Sequence, residues 1–172
     1  MRYVALLGSI NVGGNQVKMA ELRAALGDEG FANVATVVAS GNVLFDHARA
    51  ADAKLEEQLA AIVKDRFGID TFAAVRSKGE LEAAIAESPF AGEGEDKFVH
   101  VHFLTCQPAK AAFDKLAEDH AGRGNEKLAS GMRALHVDYV GGAGKSKLTG
   151  DFIARRLGCK STARNIRSIR RI

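Results

Sequence analysis

Cysteine is scarce in this chain: Cys106 and Cys159 are the two among 172 residues, far apart and with no C-x-x-C pair. Such sparse usage fits a reducing cytosol and reads as two inert buried thiols. At this length roughly 70% of the unfolded surface is buried on folding, so the core needs neither a disulfide nor a metal. Long apolar runs are missing too. None approaches the ~18 residues that span a membrane. The five apolar residues between Arg2 and Gly8 fall short of a signal-peptide core of about 7–15. These absences predict a cytoplasmic chain with no membrane partner. No low-complexity segment is present.

What is abundant is unevenly placed. The formal net charge is +3, yet residues 145–172 hold nine basic residues against one acid, Asp151, for +8. The rest of the chain carries 15 basic and 20 acidic groups. A basic tail on an acidic body suggests an anionic partner, or an internal contact with the acidic part; a solvated helix is the plain alternative.

The element pattern repeats. Residues 3–7 read as a buried strand and 17–29 as an amphipathic helix closed by Gly30. Residues 34–39 and 43–45 read as strands joined by a tight turn at Ser40-Gly41-Asn42. Asp52 caps a helix ended by Gly68, and 71–75 is a further strand. The order β-α-β-β-α-β predicts a ferredoxin-like unit. The second half repeats it less regularly: strand 98–104, helix 109–120 begun after Pro108, a hairpin through Ser130-Gly131, helix 146–157, and a short strand at 161–164. Between them, 78–87 reads as a helix stopped by Ser88-Pro89. The expectation is α+β, two tandem ferredoxin-like units, 1–77 and 78–172, the latter with a linker helix and a basic C-terminal helix. Ala39-Ser40-Gly41 recurs as Ala129-Ser130-Gly131, Val4–Leu7 resembles 101–104, and Val75-Arg76-Ser77 matches Ala163-Arg164-Asn165. These matches suggest an internal duplication.

Two glycine-rich loops invite chemistry. Leu7-Gly-Ser-Ile-Asn-Val-Gly-Gly-Asn-Gln16 links a strand to a helix, a setting in which backbone amides bind anions. Asn11 and Asn15 equally suit hydrogen bonds to the local backbone. Gly144-Lys145-Ser146 looks like the end of a P-loop, but Tyr139 stands where the first glycine belongs. That argues against nucleotide hydrolysis and leaves phosphate binding at a helix start. Residues 166–172 repeat isoleucine every third position, an amphipathic helix of two turns docked by Ile166, Ile169 and Ile172. His100, His102, His136 and Asp138 lie on strands that would bring them together if adjacent, but the pattern is too common on polar sheet faces to assign a metal. No cofactor and no catalytic constellation emerges from spacing.

Several blocks together resemble a bacterial family, domain of unknown function 1697, whose members typically open A-L-L-R-G-I-N-V-G-G. They are Ala5–Leu7 with 10–14, Met19–Leu22 as its first helix, Ser40–Val43 as its S-G-N-V turn, the H-V-x-F-L strand at 100–104, Ser146–Thr149 and Thr162–Asn165. The resemblance implies a two-part α+β fold of ferredoxin-like units and carries no activity. Gly8-Ser9 stands where the family usually has Arg-Gly, and Ile166 where many members have tryptophan.

The resulting expectation is an anionic, phosphate-bearing ligand, a nucleotide or nucleic acid. It would be bound by Asn11, Gly13, Gly14, Asn15, Ser40, Asn42, Lys145, Ser146, Lys147, Arg164, Asn165 and Arg167. The alternatives are a small-molecule enzyme with a site at the junction of the two units, using His100 or His136 as acid or base, and a non-catalytic module whose basic tail docks an acidic protein. Nothing in the sequence sets the oligomeric state.

Overall fold

A computed structural model describes residues 1–11, 14, 16–38 and 41–172. The chain divides into two units, Met1–Leu81 with Arg171–Ile172, and Glu82–Arg170. The protein is α+β, with two four-stranded antiparallel sheets and six helices among the described residues. No helix is long and apolar enough to cross a membrane among those residues.

In the first unit, β1 (Arg2–Leu7), β2 (Ala32–Thr36), β3 (Asn42–Asp46) and β4 (Ala73–Ser77) form a sheet of order β2-β3-β1-β4. Helices α1 (Met19–Asp28) and α2 (Ala53–Phe67) pack on one face. Alternation explains the division of labour in β1: Tyr3, Ala5 and Leu7 join Leu22, Leu26, Leu55 and Leu59 in the helix-covered core. Each fully buried leucine there contributes about 1.5–3 kcal/mol relative to exposure. The helix ends follow the local sequence. Asp52 accepts a hydrogen bond from the Leu55 amide at 2.9 Å, and Gly68 closes α2 at φ 68°. Glu56 of α2 is buried; its Oε1 accepts from the Val75 amide at 2.9 Å and lies 3.6 Å from the Arg76 guanidinium.

Helix α3 (Lys78–Glu87) follows directly, with the reciprocal cap its sequence encodes. Ser77 Oγ accepts from the Glu80 amide at 3.2 Å while Glu80 accepts from the Ser77 amide at 2.7 Å.

The second unit has the same element order and the same sheet order. Strands β5 (Val99–Leu104), β6 (Lys127–Gly131), β7 (Ala134–Asp138) and β8 (Ser161–Asn165) assemble as β6-β7-β5-β8. Helices α4 (Lys110–His120) and α5 (Gly150–Leu157) cover it, with Leu104, Leu116, Leu135, Val137 and Ile153 in the core. Helix α6 (Ile166–Ile169) ends the unit.

Ladder register separates the matches that fall at equivalent positions of the two sheets from the one that does not. Val4 pairs with Arg76, and Val101 pairs with Arg164. The first-strand and fourth-strand matches therefore pair with each other in the same way in both sheets. The third match does not: Gly41 lies just before β3, whereas Gly131 is the last residue of β6 and pairs with Ala134.

Several expectations need correction. The second hairpin turns at Met132-Arg133, with Arg133 at φ 46°, rather than at Ser130-Gly131. Helix α5 begins at Gly150, capped by Thr149, so Gly144–Lys147 is loop and not a helix start. The C-terminal helix has one turn rather than two, although Ile166 and Ile169 are buried as expected. The cysteines are not free thiols: Cys106 and Cys159 form a disulfide with a Cα–Cα separation of 5.7 Å. Their pairing is set by β5 and β8 lying side by side, which spacing in sequence does not reveal.

Candidate functional site

The residues expected to bind an anion separate into three groups. Gly13, Asn15 and Ser40 lie outside the described residues. A second group is occupied with the chain's own backbone. Asn11 closes on Val17, donating to its carbonyl at 3.1 Å and accepting from its amide at 2.6 Å. Asn42 is buried and donates to the Val37 and Val38 carbonyls at 3.2 and 2.9 Å. Asn165 caps α6, accepting from the Ser168 amide at 2.8 Å. Arg164 points its guanidinium at the Thr162 hydroxyl (2.7 Å) and the Ala163 carbonyl (2.9 Å), and burial lowers its pKa to about 10. It stays protonated at neutral pH.

The third group is exposed: Gly14, Lys145, Lys147 and Arg167. Among the described residues, no carboxylate lies within 4 Å of Lys145, Lys147 or Arg167. Lys145 and Lys147 flank Ser146, and Ser146 is the anchor of their loop. Its hydroxyl donates to Glu126 Oε1 and accepts from the Leu148 amide at 3.0 Å. The other Glu126 oxygen receives His120 Nε2 at 3.0 Å. Both members of that pair are nearly dry, at 4% and 8% side-chain exposure. His120 Nδ1 has no partner among the described residues, so Nε2 is the ring nitrogen engaged with the carboxylate. Hydrogen bonds from Ser146, from its own backbone amide and from His120, in that order and against the cost of burial, hold the Glu126 carboxyl below its ordinary range. Gly124 makes room for this carboxylate: a Cβ there would fall 2.1 Å from Glu126 Oε2.

The same chain of contacts reaches two arginines that sequence reasoning missed. The His120 ring stands edge-on to Phe152. Arg156 stacks 3.4 Å from the Phe152 centroid and Arg123 4.5 Å from it. Asp119 accepts from Arg156 Nε at 3.1 Å, while Arg123 is exposed with no carboxylate partner among the described residues. Only the i, i+4 spacing of Phe152 and Arg156 on α5 signals any of this in the sequence. Lys145 and Lys147 are thus linked to Arg123 through Ser146, Glu126, His120 and Phe152, with no direct contact among them. Arg164 lies on β8, the opposite edge of the sheet from β6 and Glu126, roughly 14 Å away by strand spacing.

The histidines do not converge. His100 and His102 share a face with Leu135 and Val137, whereas His136 and Asp138 sit opposite Val101 and Val99 on the other face. His102 is buried, with Nε2 at 2.9 Å from the Tyr139 hydroxyl, and burial pushes its pKa down to about 3. His136 pairs with Glu87 at 3.0 Å, and His100 contacts the Phe98 carbonyl at 3.1 Å. Among the described residues no three metal-ligating side chains cluster.

The family model for Protein of unknown function (DUF1697) matches residues 1–136. The chain belongs to this family. The blocks at 146–149 and 162–165 lie beyond the matched residues. The solved structure of a conserved bacterial protein from Streptococcus pneumoniae is similar in fold, with a TM-score of 0.68 at 21% identity, covering 98% of this chain and 94% of that one. No curated protein matches.

Proposed function

We propose that this DUF1697 protein binds a phosphate-bearing anion, a nucleotide or a nucleic acid, on the second unit. The observation that supports this reading is the local charge. Lys145, Lys147 and Arg123 are exposed cations with no carboxylate neighbour among the described residues, beside a loop fixed by Ser146 and Glu126. A cation without an internal partner is free to exchange its counterions for phosphate. The fixed loop reduces the ordering cost of doing so. The finer topological reading, a ferredoxin-like arrangement in each unit, rests on the sheet orders β2-β3-β1-β4 and β6-β7-β5-β8.

The test is fluorescence anisotropy with a labelled single-stranded oligonucleotide over a salt series. Three phosphate contacts give a log–log slope of roughly −2 for a single strand. Substituting Lys145→Ala and Lys147→Ala together leaves about one contact and a slope of roughly −0.7. Absence of binding at low salt removes nucleic acid, and calorimetry with a nucleoside triphosphate then decides the nucleotide. No binding of either probe overturns the reading.

A further inference from the structure

The Cys106–Cys159 bond joins the segment after β5 to the segment before β8, 53 residues apart in sequence. Its two sulfurs stand in different surroundings. Cys106 is exposed, while Cys159 is 8% exposed and part of the core beneath α5. The place they join is also held without them. Leu104 pairs with Ser161 in the ladder. One step further, the Thr105 amide donates to the Lys160 carbonyl at 3.0 Å and the Lys160 amide donates to Thr105 Oγ1 at 3.2 Å. Opening the sulfur bridge therefore leaves the adjacent strands paired. The buried sulfur also has a partner ready for its reduced form, since Cys159 Sγ lies 3.8 Å from the Leu157 carbonyl, which accepts from a thiol.

From these observations we infer that Cys106–Cys159 is a reversible redox couple that exchanges with a dithiol reductant, with Cys106 as the sulfur attacked. A thiolate of the reductant adds to Cys106 Sγ, the S–S bond breaks, and Cys159 leaves as a thiolate that takes a proton from water. The second thiol of the reductant then attacks its own sulfur in the mixed disulfide and displaces Cys106. Two electrons and two protons pass to the pair, and the reductant ends as a disulfide. Access decides the order, because the incoming thiolate reaches the exposed sulfur and not the one packed under Leu157.

Purified full-length protein, equilibrated with graded mixtures of reduced and oxidised dithiothreitol, acid-quenched and alkylated, reports the state of the pair by intact mass. The expected result is a reversible, two-electron transition without denaturant. The reduced protein keeps its far-UV spectrum and a cooperative urea transition, and reoxidises to the same bridged chain. With oxidised glutathione, Cys159→Ser gains the adduct on Cys106 at least about tenfold faster than Cys106→Ser gains it on Cys159, following sulfur access. Reduction that requires urea, a reduced chain with no cooperative transition, equal adduct rates in the two variants, or two free thiols in the protein before any reductant would each overturn the inference.

Discussion

Gly8 and Phe72 occupy space that only one of them can fill. A Cβ on Gly8 would lie 2.1 Å from Phe72 Cε1, and the Gly8 amide donates to the Phe72 carbonyl at 2.9 Å. The end of β1 is thus closed by a ring packed onto bare backbone. Gly8→Ala is expected to destabilise the protein by about 1–3 kcal/mol, the usual cost of overpacking. Phe72→Ala in the same chain should recover part of that loss, a positive coupling in a double-mutant cycle read by urea denaturation. Simple additivity of the two changes would contradict the steric account.

Gly41 sits at φ 87° in the β2–β3 turn. A β-branched residue is strained in that region of backbone space. Gly41→Val is expected to cost ~1 kcal/mol or more, visible as a lower urea midpoint with an unchanged slope. An unshifted midpoint would show that the turn relaxes freely.

Glu126 links stability to pH. Its folded pKa is held below the ordinary 4.5 by Ser146 and His120, so its contribution is complete above 4.5 and is lost as pH falls through the folded value. Glu126→Gln should therefore destabilise at neutral pH, by about 1.5–3 kcal/mol for hydrogen bonds to a charged group. The gap to the parent protein should close on acidification below 4.5. A gap that stays constant from pH 7 to pH 3 would mean that the carboxylate charge is not what the pair uses.

Arg164 provides the contrast to the lysines. Its guanidinium is turned onto Thr162 and the backbone of its own strand. Arg164→Ala is expected to lower the thermal midpoint while leaving the salt slope of anion binding unchanged. A flattened slope by about 0.7 would return this residue to the binding surface.

Much of the framework was legible because it is encoded within a few residues. The Asp52 cap, the Gly68 and Gly158 stops and the positive φ of Gly41 each answer to one local conformational rule. Errors arose where two distant segments decide the outcome. Ser130-Gly131 has turn chemistry, yet β7 pairs Ala134 with Gly131 and moves the turn two residues on. The lysines of the glycine-rich loop are visible in sequence, whereas Arg123 is placed by its stacking on Phe152, a tertiary contact that spacing does not encode. The Cys106–Cys159 bridge likewise depends on β5 and β8 being neighbours, which only the sheet decides.

The buried Glu56 has a further consequence at the rim of the first sheet. Strand β4 is an outer strand, and the unpaired amides of such a strand are a template on which another chain can add itself. At Val75 that amide already serves Glu56, whose charge is matched by Arg76. A visiting strand would have to displace a dry carboxylate to pair there. The side chain that ties helix α2 to the sheet thereby also engages an outer-strand amide that strand-to-strand pairing would otherwise use.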